Sequence, residues 1–367
     1  MEKNELKFYS LDKILALKCQ YNIVIGERSN GKTYAALKYG LERYLADGSE
    51  MAYIRRWKED MRGQRASILW ANHEENGVIS QLTDGEYDRV VYQSGRWYLG
   101  KWDEDLQKSV RSDDPFCYGF SLSDAEHDKS TAYPRVRTII FDEFLTRGYY
   151  LPNEFITLMN VLSTIIRHRN DATIFMLANT VNKYAPYFKE MGLKNVDTMK
   201  QGSIDVYTYG DSNLRVAVEY CASNKEGKKS DDYFAFDNPS LQMITGGAWE
   251  LELHPHLPLK YKESEVIFRF FIKWQNVIIQ GNCVTTQNTS FIYFHMKTTP
   301  IHDEDKDIIY STEYDPRPNW NRNIVKCPNS ISKRIGQYFK SEKVYYQDND
   351  VGELVRNYIM ACQKNSL

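Results

Sequence analysis

The chain has 367 residues with a net charge of −2, and 42% of its residues are hydrophobic. This length and composition allow two domains with cores of their own and exclude a disordered protein. The charge excludes a surface coated in positive groups, although a local basic patch for nucleic acid is compatible with it. No apolar run could cross a bilayer and no signal-peptide stretch is visible, so we expect an intracellular protein without membrane contact. The six cysteines have no C-x-x-C spacing and are expected to be reduced thiols.

The first strong motif is the glycine-bounded loop GERSNGKT at residues 26–33, which has the spacing of a P-loop. A β-branched run at 21–25 precedes it, and apolar residues at helical spacing follow over 34–46, which is the strand–loop–helix context that the motif requires. Such a loop and the helix N-terminus after it bind anions through backbone N–H groups. We therefore expect Lys32 to neutralise the β- and γ-phosphates of ATP and Thr33 to ligate Mg²⁺. The predicted nucleotide loop consists of Gly26, Glu27, Arg28, Ser29, Asn30, Gly31, Lys32 and Thr33.

Strand-like and helix-like segments alternate through the first half of the chain, which predicts an α/β fold with a mainly parallel sheet. The segments 90–93 and 97–99 flank Ser94-Gly95 and predict an antiparallel hairpin inserted into this domain. The other predicted strands are Asn22–Ile25, Met51–Arg55, Phe116–Phe120, Val136–Phe141, Thr173–Leu177 and Ile204–Thr208.

A basic segment follows the second predicted strand, with five basic residues in the eleven positions from Arg55 to Arg65. Basic side chains on a loop at one sheet edge could contact a nucleic-acid backbone. A salt-bridged surface is the alternative, and the residues alone leave both open. The candidates for DNA contact are Arg56, Lys58 and Arg62.

The second strong motif is the apolar run 138–141 that ends in Asp142 and Glu143. A buried strand of this kind delivers its acids to the carboxyl edge of the sheet, where ligands of open α/β sheets bind. We expect Asp142 to hold Mg²⁺ and Glu143 to polarise the water that attacks the γ-phosphate. Asn179 ends the next buried strand and is expected to contact the γ-phosphate or that water. A glutamate directly after the magnesium carboxylate favours ATP hydrolysis for work.

Three cations have roles that the residues alone leave open. Arg167 and Arg169 end a helix whose apolar residues recur at spacings of three and four, and cations at a helix C-terminus are favourable for dipole reasons alone. An arginine that reaches into a neighbouring subunit to stabilise transition-state charge is the other interpretation. Lys129 is either a solvated lysine or a second cation acting across a subunit boundary.

The second half of the chain has a different pattern. The polar run 222–232 is the best linker candidate. Beyond it, predicted strands at 266–274, 277–279 and 290–295 and helices at 332–339 and 352–362 indicate a smaller α+β domain with an antiparallel sheet. The predicted division is 1–205 for a P-loop ATPase domain of the additional-strand, catalytic-glutamate type, 206–240 for a linker region and 241–367 for the smaller domain.

These motifs, taken in order, resemble those of one family, the DNA-packaging ATPases of phi29-type bacteriophages. The resemblance covers about residues 5–190 and is weak afterwards. The P-loop arginine Arg28 and the Asn153-Glu154 pair make it more specific than a general P-loop match. The matching segments are 6–9, 25–33, 53–58, 128–134, 140–144, 151–154, 167–169, Asn179 and 186–188.

The resemblance implies a homopentameric ring at the portal vertex of a viral prohead in the host cytoplasm, which drives double-stranded DNA inward with ATP. It implies that Arg167 and Lys129 act across the subunit interface and that Lys58 faces the DNA channel. It also implies contacts with the portal and a structural RNA. The second domain resembles an RNase H-like nuclease fold in that family.

We expect that second domain to be a degenerate nuclease without activity. The strand at 266–274 contains no acidic residue, and the acidic run at 303–307 lies in a polar loop where solvation explains it. Three alternatives to the packaging ATPase remain. They are a terminase-like motor with a working nuclease, a DNA helicase, and a nucleotide-dependent assembly scaffold that hydrolyses slowly and acts by assembly.

Overall fold

The computed structural model describes residues 9–128, 132–148, 150–180, 185–222, 254–257, 259–274, 276–327 and 329–364. The chain divides into two compact units, one within Met1–Leu145 and Phe155–Glu250, the other within Thr146–Glu154 and Leu251–Leu367. In the described part of the chain, no helix is both long and apolar enough to cross a membrane.

The first unit contains a 10-stranded sheet, counted over the described residues. Its strands are β1 Tyr21–Gly26, β2 Glu50–Arg55, β3 Arg89–Gln93, β4 Arg96–Asp103, β5 Lys108–Arg111, β6 Cys117–Ser121, β7 Val136–Asp142, β8 Thr173–Asn179, β9 Ile204–Thr208 and β10 Arg215–Tyr220. The strand order is β3-β4-β6-β2-β7-β8-β1-β10-β9, and β5 pairs with β4. The six central strands are parallel to one another, in the order β6, β2, β7, β8, β1 and β10. Strands β3, β4, β5 and β9 form antiparallel pairs. This arrangement confirms the α/β fold with a mainly parallel sheet and the inserted hairpin.

The helices of the first unit follow the strands that the sequence predicts they follow. They are α1 Asp12–Leu15, α2 Lys32–Asp47, α3 Gly63–Ser67, α4 Ala71–Glu75, α5 Val78–Leu82, α6 Glu154–Ile166 and α7 Pro186–Glu190, with 3₁₀ turns at Lys58–Met61, Ile68–Trp70, Leu122–Asp128 and Val196–Thr198. Helix α6 buries Leu158, Leu162 and Ile165, which recur at spacings of four and three and form the predicted apolar face.

The parallel register brings the ends of four strands together at one edge of the sheet. Gly26 at the end of β1 pairs with Asn179 at the end of β8. Asp142 at the end of β7 pairs with Leu177 of β8, and the neighbouring Phe141 pairs with Ile54 of β2. Parallel strands all present their carboxyl ends at the same edge, so the two strong sequence motifs meet there.

The predicted linker region 206–240 overlaps strands of this sheet. The end of β9 lies in it, and β10 pairs in parallel with β1 from Tyr21↔Val216 to Ile25↔Tyr220. The sequence analysis missed β10, although its consecutive apolar residues Val216, Ala217 and Val218 are buried beside β1. Of the polar run 222–232, only Ala222 lies within the described residues.

The second unit contains a 6-stranded sheet in its described part, with the order β15-β14-β11-β12-β13-β16. Its elements are β11 Val266–Trp274, β12 Val277–Thr285, β13 Ser290–Lys297, β14 Ile308–Ser311, β15 Trp320–Asn321, β16 Val344–Tyr346, α8 Ser330–Lys340, α9 Asn349–Lys364 and a 3₁₀ turn Glu263–Glu265. The predicted antiparallel hairpins form its centre, but β14 and β16 pair in parallel with β11 and β13. The sheet is therefore mixed, because the chain returns to each edge by a crossover connection rather than by a tight turn.

Candidate functional site

The loop between β1 and α2 has a backbone that requires glycine at both ends. Gly31 has a φ of 94° directly before α2, a left-handed conformation that side chains disfavour. At Gly26 an added Cβ would lie 2.8 Å from the Cβ of Cys221. Between them, Glu27 and Asn30 are buried whereas Arg28 and Ser29 are exposed. The loop therefore has the compact shape that leaves its backbone N–H groups and the start of α2 available to an anion.

The Lys32 side chain is buried beneath this loop and is surrounded by oxygen atoms. Its Nζ donates to the carbonyl oxygen of Glu27 at 2.7 Å, to Asn30 Oδ1 at 3.1 Å and to Asn179 Oδ1 at 3.3 Å. Burial lowers the pKa of Lys32 to about 8, against the opposing effect of the nearby Cys221, Asp142 and Glu27. The three acceptors hold the ammonium group where phosphate oxygens would replace them.

Thr33 and Asp142 form a pair of hard oxygen ligands. Thr33 Oγ1 lies 3.2 Å from Asp142 Oδ1 and 3.1 Å from Oδ2. The carboxylate is fixed further by the Tyr53 hydroxyl, which donates to Oδ2 at 2.8 Å, and by the backbone N–H of Glu143, which donates to Oδ1 at 3.0 Å. A hydroxyl and a carboxylate suit Mg²⁺, which binds few protein ligands and keeps several waters. The residues present therefore fit that ion.

Glu143 has a strained backbone and an exposed side chain. Its φ of 55° is unusual for a residue with a side chain, and such strain concentrates at functional sites. Its side chain is 58% exposed, and its carboxylate forms an ion pair at 2.7 Å with Arg55, which also lies 3.8 Å from Asp142. The sequence analysis counted Arg55 only as part of the basic segment. Tyr53 and Arg55 stand two positions apart on β2, so the strand period could have placed both on the face toward Asp142.

Arg56, one of the three predicted DNA contacts, does not lie with the exposed cations. The side chain is 4% exposed, and its guanidinium donates to the carbonyl oxygens of Glu143 at 3.2 Å and Phe144 at 2.6 Å. A buried arginine with backbone acceptors stabilises the turn after β7 and is not accessible to a DNA phosphate.

Lys58 and Arg62 lie where β2 leads into the 3₁₀ turn and α3. Lys58 forms an ion pair with Asp124, and its backbone N–H donates to Ser123 Oγ at 2.9 Å. Arg62 is exposed, as is Arg65, which pairs with Asp60 at 3.1 Å. This loop combines salt bridges with exposed basic side chains, so its contact with DNA stays a prediction.

The two arginines after α6 have different environments. Arg169 donates to the carbonyl oxygens of Tyr133, Val136 and Ile165 and pairs with Asp171 at 3.1 Å, so it closes the end of the helix. Arg167 is exposed and has a φ of 53°, and its backbone N–H donates to Ser163 at 2.9 Å. The left-handed position that usually takes glycine thus carries an arginine here. Lys129 lies outside the described residues.

A cavity of about 550 Å³ joins the residues at this edge of the sheet. Asn179, which the sequence singled out, lines it together with Thr33, Asp142 and Glu143. The sequence analysis missed three further lining residues, Tyr34, Asn72 and Asn76. No motif marked them, because α4 reaches the cavity only through the packing of the short helices after β2. The volume is in the range of small-molecule sites.

A model of one protein family matches the chain over more than half of its length. Residues 1–81 and 110–220 match podovirus DNA encapsidation protein (Gp16). The unmatched residues 82–109 contain β3 and β4. The chain is 32% identical over 184 residues to the DNA packaging proteins of Bacillus phages phi29 and PZA, which is 49% of this chain and 49% of each relative. This match spans about half the length of those relatives.

Two solved structures are similar to the chain over nearly its whole length. The Phi-28 gp11 DNA packaging motor superposes with a TM-score of 0.60 and 18% identity, covering 98% of this chain and 99% of that one. The bacteriophage Phi-29 viral genome packaging motor assembly superposes with a TM-score of 0.55 and 22% identity, covering 96% of this chain and 99% of that one. At these identities the likeness establishes a shared fold, and function has to be argued from the site.

Proposed function

The chain belongs to the podovirus DNA encapsidation protein (Gp16) family, and on that premise we propose that it is an ATP-hydrolysing motor that drives double-stranded DNA into a preformed phage capsid. One observation carries the proposal. The phosphate loop, the Thr33–Asp142 pair, Glu143 and Asn179 line one cavity at the carboxyl edge of a parallel sheet. That set provides what hydrolysis of a nucleoside triphosphate requires. The domain is then a P-loop ATPase of the additional-strand, catalytic-glutamate type.

In this proposal each residue at the cavity has a separate task. Lys32 exchanges its three protein acceptors for the β- and γ-phosphate oxygens, and Asn179 turns from Lys32 to the γ-phosphate or the attacking water. Thr33 and Asp142 would hold Mg²⁺, and the chemistry that the ion would supply is neutralisation of charge on the phosphates. Glu143 orients and polarises the attacking water. Its carboxylate first has to leave Arg55, because an ion pair at 2.7 Å holds it away from that task.

We also propose that the chain works as a homo-oligomeric ring, of which a pentamer is the form that the resemblance implies. Support comes from Arg167, an exposed arginine held on a left-handed backbone at a helix end. A guanidinium in that place is suited to reach into the nucleotide site of a neighbouring subunit. The bonds of Arg169 to backbone carbonyls favour Arg167 over Arg169 for that role. Lys129 is proposed as a second cation that acts across the subunit interface. The ring is proposed to lie at the portal vertex of the prohead.

Contact with DNA is proposed for Lys58 and Arg62, on the loop that leaves β2. The same strand supplies Arg55 to Glu143, so movement of this loop has a direct route to the catalytic carboxylate. The smaller unit is proposed to be a degenerate RNase H-like domain that does not cut DNA and contacts the portal or a structural RNA. Three carboxylates of its acidic run are ion-paired, Asp303 with Lys306, Glu304 with Lys273 and Asp305 with Arg317.

The deciding experiment measures the ATPase rate with and without double-stranded DNA for wild type, Arg167→Ala and mixtures of the two. DNA should stimulate the wild type, and small fractions of the variant should reduce activity more than proportionally, because one subunit completes another's site. Lys38→Ala, which removes a partly exposed cation of α2 that pairs with Glu42, is the matched control, and activity should fall in proportion to its fraction in the mixture. An ATPase rate that does not change with DNA and falls in proportion to the fraction of Arg167→Ala would refute the ring motor.

The alternatives predict other results in the same preparation. Strand separation on a forked substrate would favour a helicase, and metal-dependent cutting of plasmid that is lost on changing Asp303 or Asp305 would favour a motor with a working nuclease. An assembly scaffold would show turnover that is unchanged by Glu143→Gln.

A further inference from the structure

Asn72 of helix α4 and Asn76, the residue directly after that helix, line the cavity that holds the Thr33–Asp142 pair. Asn72 and Asn76 are four positions apart, so they lie on the same side of the helical turn, and both line the cavity. Both are exposed, and neither side-chain amide has a hydrogen-bond partner among the residues that the structure describes. Two unengaged amides in the same cavity as the hydroxyl–carboxylate pair are thus available to a ligand there.

His73, between the two asparagines, fixes α4 to the residue that follows Thr33. Its ring stacks on Tyr34 with centroids 4.0 Å apart and an interplanar angle of 8°. Its Nε2 donates to the Tyr34 carbonyl oxygen at 3.0 Å, since a carbonyl can only accept. The ring is 1% exposed and also contacts Trp70 at a centroid distance of 5.0 Å. This anchor gives the two amides a fixed position relative to the hydroxyl of Thr33.

The anchor also carries no charge. Burial lowers the pKa of His73 to about 4, so the imidazole is neutral and does not repel a cation held one residue away from its stacking partner. A protonated histidine at the same point would oppose binding of a divalent ion. The local electrostatics therefore suit a hydrated metal ion beside α4.

Resting on the proposed ATPase function, we propose that Asn72 and Asn76 accept hydrogen bonds from the water ligands of the Mg²⁺ that Thr33 and Asp142 hold. A magnesium ion bound through one or two protein oxygens and phosphates keeps several waters, and each water needs acceptors for its polarised protons. Amide Oδ1 atoms are suitable acceptors, and partners of this outer kind orient the ligands they contact. Asn72 and Asn76 are positioning residues for the metal and do not touch the nucleotide.

The test measures binding of a fluorescent ATP derivative to the full chain, first in EDTA and then across a Mg²⁺ titration. The double variant Asn72→Ala/Asn76→Ala should need roughly tenfold more Mg²⁺ for half-maximal enhancement of binding, the lower end of losses seen when outer-shell partners are removed. Its binding in EDTA should be unchanged. Asn76→Asp, which adds a negative charge, should lower the Mg²⁺ requirement. The matched control is Asn213→Ala, an exposed asparagine outside the cavity.

The results separate this inference from the function on which it rests. An unchanged Mg²⁺ requirement in the double variant, with wild type binding normally, would overturn the role of the two amides and leave the ATPase intact. Weaker binding in EDTA would overturn it too, because the amides would then contact the nucleotide. A wild type that binds no ATP derivative with or without Mg²⁺ would refute the ATPase and this inference together.

Discussion

The lowered pKa of the buried Lys32 predicts that the protein takes up protons when it binds ATP. In the free protein its pKa is lowered to about 8, because burial outweighs the nearby negative groups. Bound phosphates favour the charged ammonium and raise that pKa again. The protein therefore takes up a proton on binding wherever Lys32 was deprotonated, and binding weakens as pH rises through the pKa of the free protein.

The size of the effect follows from that pKa. At pH 8 about half of the free protein lacks the Lys32 proton, so binding should take up about 0.5 proton, and between pH 7 and pH 9 the affinity should fall about tenfold. Other groups at the site do not interfere. Burial raises the pKa of the Cys221 thiol to about 12, and phosphate groups, whose second pKa is about 6, are already ionised.

Calorimetry in two buffers with different ionisation enthalpies counts the protons directly. Wild type should show the uptake at pH 8, and Lys32→Arg should show none, because a guanidinium stays charged throughout this range. Lys32→Met, which has no titrating group, is the second control. The reasoning fails if wild type takes up no proton at pH 8, or if Lys32→Arg takes up the same amount.

Three further changes test the site. Glu143→Gln should lower the hydrolysis rate by about 10²–10⁴-fold and leave binding of ATP unchanged, since only the water-activating carboxylate is lost; a rate within tenfold of wild type would contradict this role. Arg56→Met should lower the free energy of unfolding by about 1–3 kcal/mol, because the carbonyls of Glu143 and Phe144 lose their donor. Arg62→Met, at an exposed arginine, should change it little. Equal denaturation midpoints for the two variants would argue against a stabilising role of the buried Arg56. Tyr53→Phe should lower the free energy of unfolding by about 1 kcal/mol and raise the Mg²⁺ concentration required for ATP binding, since Asp142 loses one hydrogen bond. An unchanged Mg²⁺ titration would show that Tyr53 does not position the carboxylate.

The sequence by itself was sufficient for the parts of the site that depend on local pattern. The glycines of the phosphate loop, the lysine–threonine pair after them, and an apolar strand ending in Asp142-Glu143 are each set by neighbouring residues. Because buried parallel strands are continuous apolar runs, the polar residue that ends each run, such as Asn179, can be read without knowing the fold. Strands β1, β2, β6, β7 and β8 were accordingly predicted to within about two residues at each end.

Tertiary structure alone decided what each charged or polar side chain contacts. The neighbours Arg55 and Arg56 look equivalent in the basic segment, yet one pairs with the Glu143 carboxylate and the other is buried against the Glu143 carbonyl. Arg55 is the last residue of β2 and Arg56 lies just beyond it, and only the pairing of β2 beside β7 brings both of them next to Glu143. Asn72 likewise reaches the cavity through the stacking of His73 on Tyr34, a contact between residues 39 positions apart that no local pattern encodes.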